Sequence, residues 1–165
     1  MISRVSLEKL TESNYKLLRK WRNENRKYFK NSQYVNVKQH ENWFRGYLFD
    51  IHDYSFVVYY DNVPVGVVGL NLQSGTASIE RVMLGDKSKG GKGIITTALI
   101  YLMASFGFTE YYLCVLKNNE KATKLYKNLG FKFWYEEKGY VYMKIDMAKE
   151  RKRHNELLGI NGMIE

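Results

Sequence analysis

Lys89-Gly90-Gly91-Lys92-Gly93-Ile94-Ile95 constrains this chain more than any other stretch. Three glycines stand here between a strand-like run, residues 76–84, and an unbroken apolar helical run, residues 94–106. Glycines so closely spaced let the backbone take positive φ and curl, turning its N–H groups toward one point. A helix that starts at once adds unpaired N–H donors and the positive end of its dipole. Strand, glycine turn and helix together make an anion site, most often for a phosphate or pyrophosphate. The P-loop spacing Gly-x-x-x-x-Gly-Lys-Ser/Thr is absent, since Ile94 follows Gly93. The dinucleotide spacing Gly-x-Gly-x-x-Gly is absent too, since Ile94, Ile95 and Thr96 follow Gly91-x-Gly93. Taken alone, the turn reads equally as a ligand loop or as a plain connector.

The remaining punctuation is sparse, with one proline and no repeat or low-complexity linker in 165 residues, so a single domain is expected. Residues 2–7 suit a first strand. Thr11 can cap a helix reaching Arg22, with Leu17, Leu18 and Trp21 on one face. Residues 23–34 read as irregular or broken helical backbone. Asn36 and Gln39 have capping-box spacing and open a helix to Phe49 that buries Trp43, Phe44 and Leu48. Residues 55–60 and 63–70 flank an Asp61-Asn62 turn as a hairpin. Beyond the glycine turn and its helix, residues 111–116 form a buried strand. Residues 120–128 form a helix ended by Gly130. Residues 131–136 and 140–145 close the sheet as a hairpin, and a basic helix from Ala148 to Gly159 opens the tail.

Composition removes several classes. A lone cysteine, Cys114, excludes a disulfide framework and a cysteine-based zinc site, and its apolar strand predicts a buried structural thiol. His40, His52 and His154 lack metal-ligand spacing, so no metal is expected. No apolar run is long enough to span a membrane, so no membrane role is expected. The net charge of +9 suits an anionic small molecule or nucleic acid, or is merely a solvated surface. Its one tight block is Lys149, Arg151, Lys152 and Arg153.

Downstream, Asn119, Ala122, Tyr126, Gly130 and Phe131 stand in the pattern Asn-x-x-Ala-x-x-x-Tyr-x-x-x-Gly-Phe. With the glycine loop one helix and one strand before it, the chain resembles the GNAT family, acyltransferases that use acetyl-CoA. The resemblance spans roughly residues 3–146. Two positions depart from the family loop, Arg/Gln-Gly-x-Gly-x-Gly/Ala: Gly90 stands where Arg or Gln is usual, and Ile95 where Gly or Ala is usual. The resemblance implies an α/β fold, strictly an α+β mixed sheet. The sheet is mostly antiparallel with a splayed central strand pair, flanked by helices. It implies a GNAT domain over residues 1–146 and a basic tail over 147–165, helical or disordered. It also implies a cytoplasmic enzyme, and the family includes many homodimers.

The chemistry carried over is amine acylation. An acceptor ammonium must lose a proton before it attacks a thioester. Glu80, ten residues before the glycine motif and expected on the same face as Val82 and Leu84, matches the family's base. Glu80 reads otherwise as a partner of Arg81 or of solvent. Tyr126 matches the tyrosine that protonates the leaving CoA sulfur, or else is a packing residue. For acetyl-CoA the resemblance implies backbone pairing at Met83, Leu84 and Gly85. It implies pyrophosphate contacts from Lys89, Gly90, Gly91, Lys92, Gly93, Ile94 and Ile95, and further contacts from Asn119 and Lys121. Lys89 and Lys92 read otherwise as exposed turn lysines, and Asn119 also reads as the cap of the helix that starts near Glu120.

For the acceptor, the series Trp21-Arg22-Asn23, Phe29-Lys30-Asn31-Ser32 and His40-x-x-Trp43-Phe44 resembles the branch that acetylates amino groups of nucleotide-activated deoxy-sugars. Arg22 there can grip a diphosphate and tryptophan faces can carry a base or sugar. Equally, Trp21, Trp43 and Phe44 read as core and Arg22 as half of a structural ion pair. The expected activity is acetyl transfer to a primary amine, the amino group of a nucleotide sugar first. The alternatives are a protein N-terminus, a lysine, an aminoacyl-tRNA, or a non-catalytic module binding CoA or nucleic acid.

Overall fold

The computed structural model describes residues 4–159. Seven strands form one sheet: β1 (Val5–Lys9), β2 (Asp53–Tyr60), β3 (Val63–Asn71), β4 (Ser78–Leu84), β5 (Glu110–Leu116), β6 (Lys132–Glu137) and β7 (Tyr140–Asp146). Their order is β1-β2-β3-β4-β5-β7-β6. Every neighbouring pair is antiparallel except β4 and β5, which run parallel and are in register only at Ser78 and Tyr112. Past that single pair the two strands diverge, which is the splay expected of the central strands.

The helices are α1 (Lys16–Glu24), α2 (Val37–Phe49), α3 (Ile94–Phe106), α4 (Glu120–Leu129) and α5 (Met147–Leu157). They divide the core into two layers. Leu18 and Trp21 of α1 and Phe44 and Tyr47 of α2 pack on Val57, Val67 and Met83 of β2, β3 and β4. On the opposite side α3 and α4 bury Ala98, Leu99, Leu102, Tyr126 and Leu129 against Tyr111, Leu113, Met143 and Ile145.

Local chemistry explains most boundaries. The capping box forms as expected: the Asn36 side chain accepts from the Gln39 N–H, and the Gln39 side chain accepts from the Asn36 N–H. Gly107 and Gly130 end α3 and α4 at φ 70° and 105°, in the left-handed region. Asp146 caps α5, whose Met147 and His154 are buried.

Several expectations are corrected. The helix begins at Lys16 rather than beside Thr11, because Asn14 Oδ1 accepts from the Thr11 N–H and holds residues 12–15 in turns. Leu48 is 57% exposed; Tyr47 takes its place in the core, and its hydroxyl accepts from the Ser55 N–H and donates to the Ser55 carbonyl oxygen. β4 starts at Ser78, two residues later than expected. Cys114 is half-buried rather than fully enclosed, because β5 has no covering strand on its β4 side beyond Tyr112. Of the expected first strand and tail, residues 2–3 and 160–165 lie outside the described residues.

Candidate active site

The divergence of β4 from β5 opens a cavity of about 560 Å³. Its walls are β4 from Ser78 to Leu84, Cys114 to Leu116 of β5, Asn119 to Tyr126 of α4, and the connection after α1 at Arg22 to Asn31. Size and position match a small-molecule site at the carboxyl ends of parallel strands.

A bulge in β4 shapes this wall. The register with β3 slips between Val67–Met83 and Gly69–Glu80, and Arg81 sits at φ 53°, an uncommon conformation for a side chain with a Cβ. Ile79, Val82 and Leu84 join the α3 side of the core while Met83 joins the α1–α2 side. Strict alternation therefore fails between Ile79 and Val82, and the expected common face of Glu80, Val82 and Leu84 is lost. Arg81 itself reaches β2, where it grips Asp53 with both terminal nitrogens, at 2.5 and 2.6 Å, and lies 5.2 Å from the Trp43 ring centroid.

Glu80 lines the cavity, half-buried. Burial raises its pKa, Arg81 and Lys30 act to lower it, and Asp53 adds to the rise. Tyr126 lines the same cavity from α4; it is buried, and desolvation drives its pKa well above the ordinary tyrosine value. Asn119 also lines the cavity, and its side chain caps α4 by accepting from the Ala122 N–H at 3.2 Å. Met83, Leu84, Ile95 and Lys121 complete this end.

Gly85, Lys89, Gly90, Gly91, Lys92, Gly93 and Ile94 are not among the residues lining the cavity. The loop instead lies exposed at the start of α3, apart from the half-buried Lys89. Gly91 and Gly93 have φ 74° and 69°, as the curled turn requires, whereas Gly90 at φ −58° does not. Among the described residues no side chain caps α3, so its first N–H groups can meet an anion. Ile94 and Ile95 point into the core, and Lys92 lies 5.8 Å from the Tyr60 ring.

The acceptor residues expected from α1 and α2 separate into two groups. Trp21 is buried beneath Gly85, so close that a Cβ there would enter the indole. Asn23 is buried and clamps the Val35 backbone from both sides, at 2.8 and 2.9 Å. His40 is buried, with Nε2 2.8 Å from the Tyr15 carbonyl oxygen, and burial lowers its pKa. Trp43 stacks on His40 at 5.3 Å and is half-buried. Only Arg22 of these five lines the cavity. Among the described residues its Nη1 is buried without a hydrogen-bond partner while its Nη2 donates to the Asn31 carbonyl oxygen; its Cζ lies 4.8 Å from the Phe29 ring centroid, and desolvation lowers its pKa.

The profile of the acetyltransferase (GNAT) family matches residues 15–131. The chain is a GNAT acetyltransferase. No curated protein matches it in sequence. Among solved structures it is similar to FdhC, described as a nucleotide-linked sugar GNAT, at 18% identity over 96% of this chain and 94% of that one, TM-score 0.75. It is similar to the N-acetyltransferase PseH of Campylobacter jejuni at 22% identity over 87% of this chain and 98% of that one, TM-score 0.68. The spermidine N-acetyltransferase of Vibrio cholerae, solved with CoA and spermine, shares 21% identity over 90% of this chain and 98% of that one, TM-score 0.72. At such identities the likeness is one of fold.

This GNAT domain holds, among its described residues, no group of three or more His, Cys, Asp or Glu placed to bind a metal. None of its helices among those residues is long and apolar enough to cross a membrane. Of the middle stretch of the acceptor series, Phe29, Lys30 and Asn31 line the cavity, whereas sequence reasoning missed Cys114 and Tyr140 there. Only the alternation of β5, with Cys114 between the inward Leu113 and Val115, signalled that the thiol faces away from the core.

Proposed function

We propose that this acetyltransferase moves an acetyl group from acetyl-CoA to a primary amine of a small molecule, and that the amine belongs to a nucleotide-activated amino sugar. One observation carries the reading: Glu80 and Tyr126 line one cavity at the divergence of β4 and β5.

The residues present fit acetyl-CoA. The edge of β4 past Ser78 has no strand beside it, so Met83 and Leu84 can pair with an extended amide chain as an added strand would. The free N–H groups of the glycine loop and of α3, with Lys89 and Lys92 nearby, suit a pyrophosphate. Acetyl-CoA supplies an activated acyl group on sulfur. Glu80 takes a proton from the acceptor ammonium, directly or through water, and leaves a neutral amine able to attack. Its raised pKa makes it a stronger base than an ordinary carboxylate. Tyr126 gives its hydroxyl proton to the departing sulfur. Once the new bond to nitrogen has formed and the carbon–sulfur bond breaks, the nitrogen must lose its second proton. Burial disfavours a phenolate, so Tyr126 takes that proton directly or through water, and Glu80 releases its own to solvent before the next turnover.

For the acceptor, Arg22 and Lys30 line the cavity with no carboxylate in an ion pair with either, among the described residues. Unpaired cations favour an anionic acceptor over a polyamine. The likeness in fold to FdhC, described as a nucleotide-linked sugar GNAT, agrees with the sugar-nucleotide reading.

The test offers labelled acetyl-CoA to nucleotide amino sugars, to polyamines, to amine-bearing peptides and to aminoacyl-tRNA in separate reactions. Label on the nucleotide sugar is expected. Label confined to peptide or tRNA overturns the acceptor and makes the basic surface the specificity element.

A further inference from the structure

The half of the sheet beyond the cavity carries an aromatic face that the expected acceptor residues do not include. Register places Cys114, Tyr142 and Tyr135 side by side across β5, β7 and β6, and Tyr112, Lys144 and Lys132 in the next row. The alternate residues Leu113, Met143 and Ile145 point the other way into the core. On the side facing α1 and α2, the helical layer packs on strands β2 to β4 and stops there. Trp134 and Tyr135 are accordingly 49% and 40% exposed.

These rings are contiguous with the cavity. Tyr140 lines it, and Lys30 Nζ lies 5.1 Å from the Tyr140 ring centroid and 5.6 Å from that of Tyr142. Lys30 also donates to the Tyr142 hydroxyl at 3.4 Å. The Tyr142 and Tyr135 rings stack at 4.3 Å with 8° between their planes, and the edge of Trp134 follows at 4.9 Å. At the cavity end stands the Arg22 Nη1, buried and, among the described residues, without a hydrogen-bond partner, a charged donor left for a ligand anion.

We propose that these groups form the subsite for the acceptor's nucleoside diphosphate: Arg22 and Lys30 hold the diphosphate, and the Tyr142–Tyr135 stack receives the base. The inference rests on the nucleotide-sugar reading above and gives it an address. An anion meets the two unpaired cations, and a flat ring extends a stack that already has two members. The exposed aromatic face is thereby continuous with the place where the amine must lie, so one ligand can reach from the base to Glu80. The amino sugar occupies the cavity and the nucleotide lies outside it along β7 and β6.

The test is binding of UDP and dTDP by calorimetry to the full chain, with CoA at saturation so that the CoA site cannot accept the nucleotide. Binding that weakens about tenfold in Lys30→Met and in Tyr135→Ala, and that falls with salt, is expected. Inorganic pyrophosphate should respond to Lys30→Met and not to Tyr135→Ala, which separates the phosphate arm from the ring arm. Both side chains are exposed, so neither change endangers the core; Tyr142→Leu provides a further ring deletion. No nucleotide binding at millimolar concentration, or binding indifferent to both substitutions, overturns the subsite. So does a dimer formed through the Trp134–Tyr135 face that buries it from ligand. If the variants acetylate a nucleotide sugar with wild-type KM, the subsite fails and the substrate reading stands. If UDP binds as expected and no nucleotide sugar is acetylated, the substrate reading fails and the subsite stands.

Discussion

Arg81 is locked to Asp53 by a two-pronged ion pair, and that lock holds the one non-glycine residue of β4 that adopts positive φ. The Asp53 side chain is 8% exposed and that of Arg81 22%, so neither charge can fall back on water. Breaking such a pair from one side strands the other charge. Asp53→Asn and Arg81→Met should each lower stability by about 3 kcal/mol, the low end for buried pairs. The double variant should lose less than the sum, as urea denaturation of all four proteins would show. Additive losses would mean that the pair is not what fixes the bulge.

Glu80→Gln should reduce kcat about a hundredfold or more if the carboxylate is the base. In the wild type the acidic limb of kcat/KM should lie above the ~4.3 of a free glutamate, since burial raises Glu80. Stability should change in the opposite sense. A carboxyl whose pKa is raised on folding binds protons more readily when folded, so stability is lost as pH rises through the raised pKa. Glu80→Gln should therefore stabilise the protein at pH 7, with the gain fading as pH falls from the raised pKa to the ordinary glutamate value and absent below it. A variant that is inactive and also destabilised at pH 7 would point to a structural role instead.

Tyr126→Phe removes one oxygen from a buried ring that packs edge-on to Phe131 at 6.0 Å and has no protein hydrogen bond among the described contacts. The aromatic packing survives, so the melting temperature should hold while kcat falls about a hundredfold, with KM for acetyl-CoA little changed. Equal turnover in the two proteins would leave Tyr126 as a packing residue.

The glycine loop offers a paired contrast. A Cβ at Gly91 meets nothing within 4 Å, so the penalty of Gly91→Ala is purely conformational, about 1 kcal/mol for φ 74°. Its larger effect should be a weaker affinity for CoA, because the N–H groups that curl toward one point are re-aimed. Gly90 has negative φ and a single near neighbour, the Lys87 carbonyl at 3.3 Å. Gly90→Arg should therefore fold and bind CoA more tightly, by a margin that shrinks with salt.

How far the sequence could lead depended on whether the decisive physics was local. The Asn36–Gln39 box, the Asn119 cap and the end at Gly130 are local, and each appears where side-chain spacing put it. The β4 bulge is not local: it depends on Asp53, 28 residues away, and it overturned the simple alternation around Glu80. Aromatic residues failed as guides for the same reason. Periodicity places Trp21 on a helix face but cannot say whether that face meets ligand or Gly85. The exposed rings of β6 and β7 carried no signal that set them apart from the other tyrosines in strands.

Trp21 gives the sharpest check on that distinction. Its ring lies where a Cβ on Gly85 would be, so the backbone after β4 and the helix α1 approach as closely as they do because residue 85 has no side chain. Gly85→Ala should force α1 away and destabilise the fold by several kcal/mol, as overpacking in a tight core does. Trp21→Ala should cost about 3–5 kcal/mol through the cavity it leaves. If packing alone links the two, Trp21→Leu should rescue Gly85→Ala, because the smaller side chain makes room for the new methyl group. Denaturation of the single and double variants would register the rescue as a coupling of 1 kcal/mol or more. A Trp21→Leu protein of near-native stability that had lost only its affinity for a nucleotide sugar would return Trp21 to the acceptor site.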